Sequence, residues 1–294
     1  MLRDAARVIC YLCFLNEARY SCILIMLQNL IYIIACLLVI GFIYLIYRFM
    51  IKRPLANPEL LSKPFPGEYR QTLEKRVRYY NTLNAKQKEE FESRVLKFLA
   101  EKKITGVDTP VSVEDTILVA ASAIIPMFAF PYYNYPGIDE ILLYPNSFDR
   151  EFHTGSESRE RNVLGMVGNG YLNGHVLLSR PDLEAAFDGT RHKSNVGIHE
   201  FIHLIDKADG AVDGVPEVLF EHSFALPWLK EVRKEIDKIK HGRSDINPYA
   251  LTNEAEFLAV VGEYFFDNPE KMKSRHPELY GYLVNIFKQH PGNV

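Results

Sequence analysis

The feature that most constrains this chain is an uncharged, apolar run close to its N-terminus. Residues Leu30 to Tyr47 include no charged residue, Gln or Asn, and no charged residue occurs between Arg19 and Arg48. At about 1.5 Å per residue this run forms a helix of roughly 27 Å, and the apolar residues before it can extend that helix across a bilayer core. The sequence therefore predicts one transmembrane helix over residues 23–47.

Two other structures could account for this run. A cleaved signal peptide has a shorter apolar region and a cleavage site with small residues, which the segment from Arg48 to Lys52 does not offer. A helix in a soluble core would need a polar face, whereas this segment is apolar all round. A membrane span followed by a stop-transfer cluster of basic residues is therefore favoured.

The orientation of the span depends on its flanking basic residues, which are nearly balanced. Three lie on each side, namely Arg3, Arg7 and Arg19 before it and Arg48, Lys52 and Arg53 after it. If translation begins at Met26, the first three are absent, and the positive-inside rule places the C-terminal domain in the cytoplasm. We therefore expect a single-pass membrane protein with a cytoplasmic domain.

The apolar run also divides the chain into parts of different character. We expect an N-terminal extension over residues 1–22, the span over 23–47, a linker over 48–60 and one folded domain over 61–294. Residues 1–53 carry a net charge of +4 and the remainder carries −7, within a total of −3. So acidic a domain argues against nucleic acid as a partner, because such binding relies on clustered Lys and Arg.

The folded domain has the pattern of an α+β protein that is mainly helical. Apolar residues at helical spacing predict helices over residues 68–80, 86–101 and 113–130. Two short apolar runs, Ile141–Tyr144 and His175–Leu178, are bounded by turn residues and predict strands of a small sheet.

A candidate metal site lies at His199-Glu200-Phe201-Ile202-His203. On a helix, two histidines four residues apart share one face and can meet one ion, while Glu200 lies close enough to polarise a water molecule there. All four cysteines fall within the first 36 residues, so the ligands in the domain must be histidines and carboxylates. A catalytic zinc needs three protein ligands and one open position, so a third ligand must come from elsewhere.

The third ligand can come from a second predicted helix, residues 253–266. Glu256 and Glu263 are seven residues apart and share a face of this helix, whereas Glu254 points elsewhere. A carboxylate on an apolar face must be paired or bound to metal. Other roles remain open at this point, because Glu256 could cap the helix together with Asn253, and Glu263 could accept a hydrogen bond from a ligand histidine.

These motifs resemble those of the Mlc titration factor A (MtfA) family of zinc metallopeptidases. The resemblance covers about residues 61–294 and is carried by His199–Asp206, Asp209-Gly210, Asp213-Gly214, Glu256–Phe266, Arg275–Pro277 and Ile141–Pro145. The segment Tyr249–Phe257 is also similar to the catalytic domain of anthrax lethal factor. The family pattern does not include the N-terminal apolar run, so the membrane location rests on this sequence alone.

The resemblance implies a fold, a cofactor and a set of roles. The fold would be a zincin-like domain of the gluzincin type that holds one zinc ion per chain. His199, His203 and Glu256 match the zinc ligands. Glu200 matches the general base, and Tyr249 matches a hydroxyl that assists at the transition state.

Three functions are compatible with these features. The first is hydrolysis of peptide bonds in a peptide or protein substrate, and we expect an extended substrate to pair with the strand His175–Leu178 as a sheet edge. The second is a regulatory binding module that sequesters a transcriptional repressor, with peptidase activity incidental. The third is a purely structural domain close to the membrane.

Overall fold

The computed structural model describes residues 26–47, 55–146, 165–167, 174–189, 194–219 and 222–292. The predicted N-terminal extension lies outside the described residues, as does the first part of the predicted linker. The chain forms two compact units, residues 1–54 and residues 55–294. The domain boundaries drawn from the sequence remain predictions.

The first unit contains one long helix, α1 (Met26–Tyr47). Its 22 residues have a mean hydropathy of 2.7, and none of them is buried. A helix of this length and composition can cross a membrane, although a signal sequence meets the same criteria. The described part of the predicted span is therefore helical throughout.

The second unit is mostly helical, as the sequence predicts. Its helices are α2 (Gly67–Arg76), α3 (Arg78–Asn81), α4 (Ala85–Glu101), α5 (Val113–Met127), α6 (Arg180–Ala186), α7 (Val196–Asp206), α8 (Ala225–Lys240), α9 (Glu254–Asp267), α10 (Pro269–Arg275) and α11 (Pro277–Phe287). Short 3₁₀ turns occupy Pro58–Ser62, Lys207–Asp209, Glu217–Leu219, His222–Phe224 and Pro248–Leu251.

Local signals explain where several helices begin and end. Asn84 and Gln87 form a capping box at the start of α4, and Ser112 and Asp115 form another at the start of α5. The helix predicted over residues 68–80 is interrupted at Val77, whose extended backbone separates α2 from α3. These boundaries follow from satisfied backbone groups at the helix ends.

A four-stranded sheet completes the second unit. Its strands are β1 (Lys103–Gly106), β2 (Glu140–Tyr144), β3 (Gly165–Val167) and β4 (His175–Ser179), in the order β1-β2-β4-β3. β1, β2 and β4 are parallel, whereas β3 is antiparallel to β4. The expectation that the strand at His175–Leu178 is a sheet edge is therefore wrong, because β4 pairs with β2 on one side and with β3 on the other.

The core of the second unit surrounds α7. Phe201 on this helix is fully buried and packs edge-on against Phe98 of α4 and Tyr135, with ring centroids 5.9 and 4.9 Å apart. α5 crosses α7 so closely that a Cβ atom at Gly197 would lie 2.1 Å from Ser122 Oγ. Only glycine fits at this crossing, so close packing fixes the distance between α5 and α7.

A buried histidine ties the C-terminal helices to α8. His276 Nδ1 lies 3.1 Å from Glu235 Oε2, and His276 Nε2 lies 2.8 Å from Asp245 Oδ1. The hydrogen bond with Glu235, helped by that with Asp245, raises the pKa of His276 despite its burial. Burial alone would raise the pKa of Asp245, but hydrogen bonds from Lys271, His276 and Tyr264 hold it at about 2. A charged imidazole between two carboxylates therefore stabilises this part of the fold.

We expect His276→Gln to lower the free energy of unfolding by about 3 kcal/mol near pH 6, because it leaves two carboxylates without their central cation. Since the pKa of His276 is raised, its contribution is complete below the ordinary value of about 6.5 and is lost as the pH rises through the raised value. The contribution of Asp245 is lost in the opposite direction, as the pH falls through about 2.

Urea unfolding followed by the fluorescence of the single, buried Trp228 measures this effect in the full chain in detergent. His290 is exposed, and His290→Gln should change stability by less than about 0.5 kcal/mol. A loss for His276→Gln that does not shrink as the pH rises above about 6.5 would contradict the ion-pair account.

Candidate metal centre

The two histidines lie on α7, whose start is fixed by a side-chain cap. Asn195 Oδ1 accepts a hydrogen bond of 3.1 Å from the backbone N–H of Ile198. From that start, the apolar side chains of α7 are buried, and His199 and His203 follow each other on one face with ring centroids 4.8 Å apart. The helix predicted from the sequence therefore presents both imidazoles to the same place.

The carboxylate opposite them comes from α9, which packs against α7. Asn253 Oδ1 accepts a hydrogen bond of 2.8 Å from the backbone N–H of Glu256, so Glu256 occupies the first turn of this helix. Halfway along, a Cβ atom at Gly262 would lie 2.5 Å from Ile202 Cδ1. This close approach packs the middle of α9 against α7.

Three side-chain atoms meet between the two helices. Glu256 Oε2 lies 3.1 Å from His199 Nε2 and 3.3 Å from His203 Nε2, and the two imidazole nitrogens are 3.2 Å apart. His199, His203 and Glu256 form the group of side chains, among the described residues, whose arrangement could hold a metal ion. The site predicted from two distant segments is thus brought together in space.

The spacing of the three atoms fits a small tetrahedral ion. Ligands bound to zinc at about 2.0–2.1 Å in tetrahedral geometry lie about 3.3 Å apart. The three separations in this structure are 3.1, 3.2 and 3.3 Å. The group formed by the described residues has three members, which is the number of protein ligands in a catalytic zinc site that keeps a fourth position open.

The electrostatics of the cluster favour a cation at this place. Burial alone would lower the pKa of His199, but hydrogen bonds to Glu256 and Glu263 outweigh it and raise the pKa to about 10. Burial alone would raise the pKa of Glu256, but hydrogen bonds from both histidines hold it well below its usual range. The carboxylates therefore attract positive charge to the space between the helices, whether it is a proton or a metal ion.

Glu263 supports His199 from the side opposite to Glu256. Its Oε2 atom lies 3.6 Å from His199 Nδ1 and accepts a hydrogen bond of 3.0 Å from Ser194 Oγ. A carboxylate behind a ligand histidine fixes the orientation of the imidazole and leaves its other nitrogen free for a metal. At 3.6 Å the two side chains form an ion-pair contact, and the expectation that Glu263 accepts a hydrogen bond from a ligand histidine stays a prediction.

Glu200 and Tyr249 adjoin the cluster in different environments. Glu200 is buried, which raises the pKa of its carboxyl group although both neighbouring histidines oppose the shift. Tyr249 is half exposed, and its hydroxyl donates a hydrogen bond of 3.4 Å to Glu256 Oε1. The roles that the family resemblance implies for Glu200 and Tyr249 stay predictions.

Several contacts near the two helices could not be predicted from the sequence. Ser194 bonds to Glu263, and Asn195 Nδ2 donates to Asp267 Oδ1 at 3.2 Å. Burial raises the pKa of Asp206 to about 6 even though its Oδ2 accepts a hydrogen bond from Gly214 N–H. Glu263 and Asp267 are four residues apart and therefore share a face of α9. This spacing could have indicated that Asp267, like Glu263, faces the start of α7, where Asn195 lies.

Comparison with known proteins identifies the class to which this centre belongs. Two histidines and one glutamate form the donor set of a group of metallopeptidases. The family described as Glucose-regulated metallo-peptidase M90 matches residues 51–288, which is most of the chain. The chain belongs to this metallopeptidase family, and its similarity to Mlc titration factor A proteins agrees with that membership.

The relatives extend over different lengths of the chain. An uncharacterized protein of Synechocystis sp. is 26% identical over 242 residues, which are 79% of this chain and 88% of the relative. Mlc titration factor A of Serratia proteamaculans is 29% identical over 53% of this chain and 62% of its own length. The same factor from Salmonella arizonae is 27% identical over 66% of this chain and 80% of its own.

We expect Glu256→Ala to weaken divalent metal binding by more than about 100-fold, because it removes one of only three protein donors. Metal content after dialysis, and competition with a chromophoric chelator, measure the change in the full chain in detergent. Glu254→Ala is the matched control, since Glu254 is exposed on the same helical turn. Equal metal affinity in both variants would show that Glu256 is not a ligand.

Proposed function

We propose that this protein is a zinc-dependent peptidase whose zinc ligands are His199, His203 and Glu256. The observation that carries the proposal is the meeting of their three donor atoms within 3.3 Å of one another. Family membership supports a metallopeptidase, and the donor set supports zinc as the metal, because two nitrogens and one oxygen at this spacing suit that ion.

We also propose a zincin-like fold of the gluzincin type for the second unit. The arguments are the metal-binding helix α7, the third donor on a separate helix, and a mixed sheet whose edge strand β3 is antiparallel to its neighbour. β3 and β4 both contact α7. In this proposal an extended substrate pairs with β3, which replaces β4 as the edge of the described sheet, and a peptide complex without such main-chain pairing would refute it.

The residues around the three donors suit hydrolysis of a peptide bond. When bound, the zinc ion would polarise the scissile carbonyl and lower the pKa of a water molecule. Glu200 would accept the proton of that water and return it to the leaving amine, and its burial, which raises the pKa of the carboxyl group, supports this part. The hydroxyl of Tyr249 would donate a hydrogen bond to the developing oxyanion.

A regulatory binding role is the second candidate. It is favoured by the name of several relatives, which describes them as titration factors for Mlc. In this role the domain would sequester a transcriptional repressor, and hydrolysis would be incidental. The two candidates make different demands on Glu200, because binding of a protein surface does not require a proton acceptor beside the metal.

We further propose that α1 anchors the protein in a membrane as a single span, with the second unit in the cytoplasm. The length and hydropathy of α1 support the span. Three basic residues, Arg48, Lys52 and Arg53, lie within six residues after α1, whereas Arg19 alone lies within 15 residues before it, and this difference supports the orientation through the positive-inside rule.

Glu200→Gln should lower the rate of peptide hydrolysis by about 10²- to 10⁴-fold while metal stays bound, because the amide cannot accept a proton. Digestion of a peptide library by the full chain in detergent, with metal analysis of the same samples, gives both quantities. Glu254→Gln is the control and should keep wild-type turnover. Loss of metal in Glu200→Gln would contradict its assignment as a base, and undiminished capture of a repressor by this variant would favour the binding role.

We expect a fluorescent protein fused to the C-terminus to be fluorescent and to sediment with membranes, and an alkaline phosphatase fused there to be inactive. A chain that begins at Leu55 should lose the sedimentation, because it lacks α1. An active phosphatase fusion would reverse the proposed orientation, and a full chain that stays in the soluble fraction would exclude the anchor.

A further inference from the structure

The proposed metal centre depends on the distance between two helices that are far apart in the chain. His199 and His203 lie on α7, and Glu256 lies in the first turn of α9. The contact of Gly262 with Ile202 sets the separation at the middle of α9, roughly 9 Å along the axis from Glu256. Its partner atom there is the end of a flexible side chain, so a different contact must define the position of the first turn.

Gly214 makes that contact with the backbone of α9. Its φ angle is +75°, and a Cβ atom would lie 2.3 Å from the carbonyl oxygen and 2.6 Å from the carbonyl carbon of Glu254, and 3.2 Å from the backbone nitrogen of Ala255. These backbone atoms immediately precede Glu256. They cannot rotate away as a side chain would, so any enlargement of Gly214 must move the start of the helix.

Both polar backbone groups of Gly214 are bonded to buried side chains. Its N–H donates a hydrogen bond of 3.0 Å to Asp206 Oδ2, and its carbonyl accepts one of 2.7 Å from Trp228 Nε1. Asp206 and Trp228 are fully buried. Asp206 is three residues beyond His203 on α7, so Gly214 connects the helix of the histidines to the helix of the glutamate.

We propose that Gly214 is a positioning residue that sets the distance of the Glu256 carboxylate from the two histidines. Held by Asp206 on one side and Trp228 on the other, it acts as a spacer between the end of α7 and the start of α9. This inference rests on the proposed function, because it assigns Gly214 to the geometry of that same metal centre.

The magnitude of the contact supports this role. An ordinary van der Waals contact of a Cβ atom begins at about 3.4 Å, so the distance of 2.3 Å at Gly214 implies a shift of about 1 Å in Gly214→Ala. A metal site tolerates ligand displacements of about 0.2 Å. The shift thus exceeds the tolerance several-fold, and the carboxylate would be drawn away from the imidazoles.

Gly210 provides a matched control in the same loop. Its φ angle is +99°, so an alanine there is strained in the same left-handed region, yet a Cβ atom at Gly210 would meet nothing within 4 Å. The difference between Gly214→Ala and Gly210→Ala therefore isolates the contact with α9 from the cost of the backbone angle.

The test uses cobalt(II) and zinc binding to the full chain in detergent. Gly214→Ala should weaken the affinity for both metals by about 10- to 100-fold and should change the visible absorption of bound cobalt, which reports the ligand geometry. Gly210→Ala should keep the affinity and the spectrum of the wild type. Circular dichroism of the metal-free proteins shows whether each variant is folded.

Trp228→Phe extends the test if Gly214→Ala does not fold. It removes the donor to the carbonyl of Gly214 but keeps an aromatic ring, and it should weaken cobalt binding about tenfold. Wild-type affinity and spectrum in Gly214→Ala would refute the inference. If Gly214→Ala does not fold, wild-type affinity and spectrum in Trp228→Phe would refute it. So would an equal loss in both glycine variants. A wild-type protein that binds neither metal would instead refute the proposed metal centre, and this inference with it.

Discussion

The approach of the Glu256 carboxylate to two imidazoles is the interaction on which the structure of this site depends. Taking a carboxylate and two histidines out of water is costly, and the cost is offset only if opposite charges meet with good geometry. The raised pKa of His199 and the lowered pKa of Glu256 show that each group stabilises the charge of the other. A bound cation would take the place of the shared proton and would satisfy all three donors at once.

The rest of the fold holds the two helices at the distance that this interaction needs. Glycines occupy the closest approaches, with Gly197 between α5 and α7, Gly262 between α7 and α9, and Gly214 against the start of α9. Close packing of this kind transmits small displacements instead of absorbing them. The carboxylate of Glu263 lies behind the ring of His199, so that both the helices and a neighbouring side chain position this imidazole.

The enzyme and the binding hypotheses agree on the architecture and differ on one side chain. Both require the mainly helical domain, and both are compatible with membership of the metallopeptidase family. The proposed catalysis assigns the buried carboxyl group of Glu200 the part of a base, whereas the binding role assigns it no part. The apolar helix α1 would keep either activity at a membrane surface.

The sequence by itself determined the elements that depend on local spacing. The helical pair His199 and His203, the capped start of α9 and the apolar run of α1 could all be predicted, because residues near in sequence decide them. The pattern could not decide which strand forms the sheet edge, since pairing joins β3 to β4 through the tertiary fold. Nor could it place the Glu256 carboxylate beside the two histidines, or reveal the contact of Gly214 with the start of α9. Those outcomes depend on distances between segments far apart in the chain, and only the packing of the whole domain sets such distances.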